Sequence, residues 1–99
     1  MRASLERTGG FAGMRLTATV DSDTLGDNDA KRFEQLVESS DFFRLPAQLA
    51  PQKPQPDRFQ YTLTIENNGD KHTVTASEAA LPANVRPLID WLTRIARRG

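Results

Sequence analysis

The sequence predicts an α+β domain: an antiparallel sheet of about four strands with two helices, in the order β-β-α-loop-β-β-α. Three observations predict this fold: two pairs of segments with alternating apolar residues, an amphipathic segment after each pair, and a proline-rich stretch between the two halves. The chain has 99 residues, which is the size of one domain with one core. We therefore expect residues 1–99 to form a single domain.

The first hairpin is predicted from weak alternation at the beginning of the chain. Ala3, Leu5 and Arg7 fall on one side of a short strand, and a turn with three glycines follows at residues 8–13. Apolar residues then alternate with polar ones from Met14 to Val20. Because alternate side chains of a strand point to opposite faces, this second segment reads as a half-buried strand that pairs with the first.

Helical spacing predicts the first helix over about residues 28–40, with Asp27 as its N-cap. Its apolar positions are Ala30, Phe33, Leu36 and Val37. At least two of the next three large apolar residues, Phe42, Phe43 and Leu45, are expected to reach the core. Four prolines then follow, at positions 46, 51, 54 and 56, and predict a loop over about residues 46–57.

The second hairpin gives the clearest alternation in the chain, from Phe59 to Ile65. Residues 67–70 read Asn-Asn-Gly-Asp, a turn that tolerates positive φ, and the return strand runs from His72 to Ala76. Asn84 is predicted to cap the final helix. Pro87 fits the first turn of that helix. The predicted core comprises Phe33, Leu36, Leu63, Ile65, Val74, Leu88 and Leu92, and Trp91 flanks the apolar stripe of the final helix.

Composition narrows the classes of function. Thirteen basic and thirteen acidic residues cancel, so the basic excess of a nucleic-acid-binding protein is missing. No apolar run approaches the length of a membrane-spanning helix, and the first residues do not read as a secretory signal. We expect a cytoplasmic protein that binds neither nucleic acid nor membrane.

The residues needed for catalysis are scarce. The chain has one histidine and no cysteine, and its serines lie in no nucleophile-elbow pattern. His72 reads as a surface or cross-strand residue. The sequence therefore predicts a protein that is not an enzyme and that uses no metal and no cofactor.

The glycine-rich turn fits neither a Walker loop nor a dinucleotide-binding loop, because no Gly-Lys-Ser/Thr motif is present and a strand pattern follows it. Phe11 is unusual on such a turn: it either folds back onto the sheet or serves as an anchor for a partner. Charge is also polarised, with seven acidic and two basic residues over 21–41 and four basic and one acidic over 86–98. Such a field steers protein encounters.

Five stretches in this order resemble the emfourin family, the proteinaceous inhibitors of protealysin-like metallopeptidases of the thermolysin family. They are GGFAGM at 9–14, DFFRLP at 41–46, PDRFQYTLTI at 56–65, KHTV at 71–74 and RPLIDWL at 86–92. The resemblance spans nearly the whole chain. It implies a bacterial protein that binds a zinc peptidase and blocks its active-site cleft. We expect the free protein to be a monomer.

The resemblance supplies no contact residues, so the site is inferred from the residues themselves. A cleft that accepts extended backbone can pair with a glycine-rich loop, and Phe11 or Met14 offers the large apolar side chain that thermolysin-type clefts favour after the scissile bond. The predicted inhibitory loop is Gly9, Gly10, Phe11, Ala12, Gly13 and Met14. The second candidate is the proline-rich loop at Gln52, Lys53, Pro54 and Gln55, where prolines resist cleavage. Two other classes stay open: a non-inhibitory interaction module of a cytoplasmic complex, and a small-ligand or enzyme domain that uses a pocket between sheet and helices.

Overall fold

The computed structural model describes residues 1–9, 15–49 and 59–98. It is an α+β fold with two helices, as the sequence predicts. The elements in chain order are β1 (Arg2–Gly9), β2 (Leu16–Asp21), α1 (Asp27–Ser40), β3 (Gln48–Leu49), β4 (Phe59–Asn67), β5 (Asp70–Ser77) and α2 (Arg86–Arg98). Single 3-10 turns lie at Ser22–Thr24, Phe42–Arg44 and Glu78–Ala80.

The described strands form one mixed sheet of five strands in the order β2-β1-β4-β5-β3. All neighbours are antiparallel except β3 and β5, which are parallel. The prediction of four antiparallel strands is therefore wrong in one respect, because Gln48 and Leu49 were predicted as part of a loop. This short strand shows no alternation in the sequence, and it pairs with Thr75 and Ala76, which are distant in the chain.

Both predicted hairpins are present. In the turn between β4 and β5, Asn68 has a φ of 51° and Gly69 a φ of 88°, the positive values that favour Asn and Gly in two-residue hairpins. The two hairpins are joined through β1 and β4, which pair antiparallel from Arg2 opposite Glu66 to Gly9 opposite Phe59. This central pairing makes one sheet of the two halves of the sequence.

The two faces of the sheet differ in character. One face packs against both helices, and all seven predicted core residues are buried there, which confirms the predicted core. Further buried residues are Ala3, Leu5, Ala18, Val20, Val37, Phe42, Tyr61, Ala76, Val85, Ile89 and Trp91. The other face carries hydroxyl side chains. Thr19, Ser4, Thr64 and Thr73 form a row across four strands, and the hydroxyls of Thr64 and Thr73 lie 2.9 Å apart.

The N-terminus of α1 lies one residue earlier than predicted. Gly26 is its N-cap and its carbonyl accepts from the Ala30 amide at 2.9 Å, whereas Asp27, predicted as the cap, is already in the first turn. An acidic residue in that turn still interacts favourably with the helix dipole. The helix ends at Asp41, which adopts a left-handed conformation with φ of 54°.

Asn84 also differs from its predicted role as the cap of α2. Its side-chain amide donates to the carbonyls of Ser39 and Ser40, at 3.3 and 3.1 Å, and so satisfies acceptors at the end of α1. Pro87 lies in the first turn of α2 as predicted. Trp91 is buried rather than flanking, and its ring stacks on Phe33 of α1 with centroids 5.7 Å apart.

Neither helix in the described part of the chain has the length and apolar character needed to cross a membrane.

Candidate functional site

One end of the sheet brings together the flanks of both segments that the sequence proposes as binding loops. The strand registers place one residue of each strand in a single row across the sheet at this end: Leu49, Ala76, Tyr61, Arg7 and Leu16. Two positions farther along β1 and β4, Gly9 lies opposite Phe59. We call this row, together with Gly9 and Phe59, the loop end of the sheet.

Both predicted loops join the sheet at this loop end. Residues 10–14 connect Gly9 to Arg15, and residues 50–58 connect Leu49 to Phe59. The predicted contact residues Gly10, Phe11, Ala12, Gly13 and Met14, and likewise Gln52, Lys53, Pro54 and Gln55, lie outside the described residues. The flanks nevertheless show that the first connection begins next to the position where the second one ends, at the same end of the sheet.

Gly9 is the one predicted site residue that the structure describes. It ends β1 with a φ of 100°, a conformation that residues with a Cβ rarely adopt. The glycine therefore has a local reason to be there, because a side chain at this position would strain the backbone. Its position beside Phe59 places the start of the first loop against the end of the second.

Side chains of three elements fix the base of the loop end. The guanidinium carbon of Arg7 lies 4.5 Å from the centroid of the Phe59 ring, a cation–π contact. The Phe59 amide donates to Oε2 of Glu78 at 3.4 Å, and Nη2 of Arg86 donates to the Glu78 carbonyl at 3.0 Å. The start of β4 is thus held by β1, by the turn at Glu78 and, through that turn, by α2.

Sequence reasoning missed Arg7, Phe59 and Glu78 as parts of this end. The signal was available for Arg7, since the alternation of β1 places a charged residue on the inner face with Ala3 and Leu5. A cation on that face needs a partner, and an aromatic ring is one of the few that an apolar core offers. No local pattern points to Glu78, because its contact with Phe59 spans 19 residues.

A second exposed surface lies at the opposite end of the sheet. A groove of about 640 Å³ is lined by Met1, Glu34, Val37, Glu38, Asp41, Phe42, Phe43, Arg44, Asn67 and Asn68. Phe43 is 40% exposed and is the single exposed large apolar residue among those the structure describes. At least two of Phe42, Phe43 and Leu45 were predicted to reach the core. This prediction is confirmed, because Phe42 is buried and Leu45 packs against the core. We call this surface the Phe43 groove.

His72 contacts two of the residues that line the Phe43 groove, Phe42 and Phe43, and has a clear packing role. Its ring contacts Phe42 edge to face at 5.4 Å, and Nε2 lies 2.7 Å from the Leu45 carbonyl. Because a carbonyl oxygen can only accept, Nε2 carries the hydrogen. His72 therefore ties β5 to the segment that leads into β3.

Over the described residues, no three His, Cys, Asp or Glu side chains are grouped so that they could hold a metal ion.

Comparison with known proteins gives one match. The family model described as Emfourin matches residues 5–93, which is nearly the whole chain. No curated protein and no solved structure matches the chain significantly.

Proposed function

Because the chain belongs to the Emfourin family, we propose that it inhibits a protealysin-like zinc metallopeptidase by binding and occluding its active-site cleft. The family indicates an inhibitory rather than a catalytic protein, and with it a protein partner. Beyond what the family indicates, we propose the type of peptidase, a protealysin-like one, and the mode of inhibition, occlusion of the active-site cleft. We place the protein in the bacterial cytoplasm, together with its target.

The observation that carries this proposal is the loop end of the sheet. Gly9 lies opposite Phe59, so the connection over 10–14 begins next to the position where the connection over 50–58 ends. A partner seated against this end can therefore meet both. The sequence presents the two loops as competing sites, whereas this topology supports one composite surface.

Rigidity at the base of the loops supports the same role. Arg7 and Glu78 hold Phe59 from two directions, and Arg86 holds Glu78 in turn. An inhibitor that places a loop in a cleft loses less conformational entropy on binding when the ends of the loop are already fixed. Such an inhibitor is also a poor substrate, because the two ends of a cleaved loop stay anchored to the sheet and the peptide bond between them can form again.

The chemistry of the predicted loop suits a peptidase cleft. Glycines at 9, 10 and 13 permit close approach of backbone to backbone, and Phe11 or Met14 provides a large apolar side chain. We propose Gly9 to Met14 as the main inhibitory contact. Gln52 to Gln55 form the adjoining contact, since they belong to the connection that ends at Phe59.

The test is a titration of this protein into a protealysin-like peptidase, with cleavage of a peptide substrate as the readout. Phe11→Ala should weaken inhibition by about 2 kcal/mol or more, roughly thirtyfold, with thermal stability close to that of the parent. The matched control is Phe43→Ala, the same substitution at the opposite end of the sheet, where the ring is exposed. It should leave inhibition unchanged.

Substitutions in the proline-rich segment complete the design. Lys53→Ala and Gln55→Ala should weaken inhibition less than Phe11→Ala does. If they abolish inhibition and Phe11→Ala has no effect, the main contact is the second loop. If the parent does not slow the peptidase at micromolar concentration, inhibition of that target is excluded.

The Phe43 groove favours one alternative, a non-inhibitory interaction module of a bacterial cytoplasmic complex. An exposed phenylalanine beside Glu34, Glu38 and Asp41 suits a partner segment with an apolar anchor and basic flanks. This alternative is favoured if the parent does not slow the peptidase at micromolar concentration. If Phe43→Ala instead loses inhibition while Phe11→Ala keeps it, the inhibitory contact lies in this groove.

A further inference from the structure

Among the described residues, strand β2 forms an edge of the sheet that no other segment covers. In the described part of the chain it pairs with β1 alone and lies outermost. Its first five residues, Leu16 to Val20, contain no charge, no proline and no glycine. Natural proteins usually block such an edge with lysine, proline or a bulge, because its unpaired backbone groups are a template for another strand.

The direction of these backbone groups follows from the ladder between β1 and β2. The Ser22 amide donates to the Met1 carbonyl at 2.8 Å, which makes these two residues a hydrogen-bonded pair. In an antiparallel ladder such pairs alternate with pairs that exchange no hydrogen bonds. The pairs of Thr19 with Ser4 and of Thr17 with Glu6 belong to the second kind. The amides and carbonyls of Thr17 and Thr19 therefore point away from β1, towards solvent.

The edge is complementary to a second copy of itself. In an antiparallel pairing centred on Ala18, Thr17 of one copy lies opposite Thr19 of the other, so their outward-pointing groups meet and form four hydrogen bonds. Leu16 lies opposite Val20 on the helix-bearing face. At each end of the strand Arg15 lies opposite Asp21, so opposite charges meet twice.

We propose that two copies of this chain associate through their β2 edges, antiparallel and centred on Ala18, to form one continuous sheet. Shifting the register by two residues removes the match between Arg15 and Asp21, since Arg15 then faces Thr19 or Asp23, and Asp23 lies beyond the end of the strand. The charges at the strand ends thus select one register among those that the backbone permits.

This assembly leaves the surface of the proposed function available. The antiparallel pairing points the two loop ends in opposite directions, so each copy keeps its own. An interface of one strand edge is small, and small interfaces are weak. At the low concentrations of an inhibition assay the protein is therefore a monomer, as expected from the sequence. At high concentration it forms the dimer. The proposal is independent of the inhibitory function, and each can fail alone.

The decisive experiment uses complementary charge variants, Arg15→Asp and Asp21→Arg, in analytical ultracentrifugation up to millimolar protein. The parent should show a concentration-dependent dimer. Each variant alone places like charges opposite each other at both strand ends, so its dimerisation should weaken at least tenfold. An equimolar mixture restores two opposite-charge pairs and should dimerise at least as well as the parent.

Local effects of these substitutions need a control, because Arg15 also pairs with Glu6 at 2.9 Å and the Asp21 carboxylate accepts from the Asp23 amide. Both variants should keep the far-ultraviolet circular dichroism spectrum of the parent. A pure monomer of the parent at millimolar concentration would overturn the proposal. Dimerisation of both variants with the affinity of the parent would overturn the register.

A backbone variant tests the edge itself. Thr19→Pro removes an outward donor without removing a hydrogen bond to β1, and it should abolish the dimer. Thr19→Val keeps the amide and should leave the dimer intact. If the proline variant folds and still dimerises, the contact lies elsewhere. If it does not fold, the charge variants alone decide.

Discussion

Hydrogen bonds from individual polar side chains connect segments of this molecule that lie outside the apolar core. Asn84 donates to the carbonyls of Ser39 and Ser40, and His72 is hydrogen-bonded to the carbonyl of Leu45. Each bond satisfies a backbone acceptor at the end of an element, where no partner within the element exists. These residues connect segments that are 27 to 45 positions apart in the chain.

Substitutions of Asn84 test the contribution of its two amide hydrogen bonds to stability, because aspartate keeps the size of the side chain but lacks the N–H donors. Asn84→Asp has the same shape but places a carboxylate against two carbonyls, so it should destabilise the fold by about 1–2 kcal/mol. Asn84→Ala only leaves the carbonyls to water and should cost about 1 kcal/mol or less. Urea unfolding at neutral pH measures both. Equal stability of the parent and the aspartate variant would show that the amide bonds contribute nothing.

Leu92 tests the packing of α2 at the same scale. Its side chain is fully buried between the helices and the sheet, with no exposed area. Leu92→Ala should therefore lower the free energy of unfolding by about 2–5 kcal/mol, since it removes buried methyl groups and leaves a cavity. Arg94→Ala, on the exposed side of the same helix, is the control and should change stability by about 0.5 kcal/mol or less. A small loss at Leu92 would mean that α2 is not packed as described.

At the scale of elements, the sequence predicts what is local and misses what is distant. The alternation from Phe59 to Ile65 and the turn at Asn68 and Gly69 identify β4 and its hairpin, because both signals lie within a few residues. The apolar spacing of both helices likewise identifies the core. Strand β3 was missed because two residues carry no periodicity, and its partner is more than 25 residues away.

The candidate site was predictable only in part for the same reason. The glycines and the prolines mark two loops, but only the pairing of Gly9 with Phe59 and of Leu49 with Ala76 puts the flanks of those loops at one end. Strand register depends on contacts between distant segments. A single sequence does not reveal it, so the two loops appear as rivals rather than as neighbours.

The attachment of β3 depends on its surroundings, which gives an element-scale prediction. This two-residue strand is held by the bond from the Thr75 amide to the Ala47 carbonyl, at 2.8 Å, and by the tether between His72 and Leu45. His72→Ala should release the tether, so the Thr75 amide should exchange with solvent markedly faster. The amide of Leu63, in the central strand β4, should exchange as in the parent. Unchanged exchange at Thr75 would show that β3 holds without His72.

At the scale of the whole molecule, one apolar cluster links both helices to four strands. Phe33 of α1 stacks on Trp91 of α2, and Leu5, Val20 and Leu63 belong to the same cluster. The first hairpin and α1 therefore do not have a core separate from that of the second hairpin and α2. The single domain expected from the chain length stays a prediction, and unfolding experiments can test it.

Cooperative unfolding is the prediction that follows from this shared core. Trp91 is the only tryptophan of the chain and lies between the two helices, so its fluorescence reports on their contact. Far-ultraviolet circular dichroism reports on the helices and the sheet as a whole. Since neither half buries its apolar face without the other, the two signals should follow one urea transition with one midpoint.

The variant Phe33→Leu removes the ring stacked on Trp91 and should shift the midpoints of both signals together to a lower urea concentration. Two separated transitions, or a tryptophan signal that changes well before the circular dichroism, would mean that α1 and α2 part while the sheet persists, and residues 1–99 would then contain two independently folding parts.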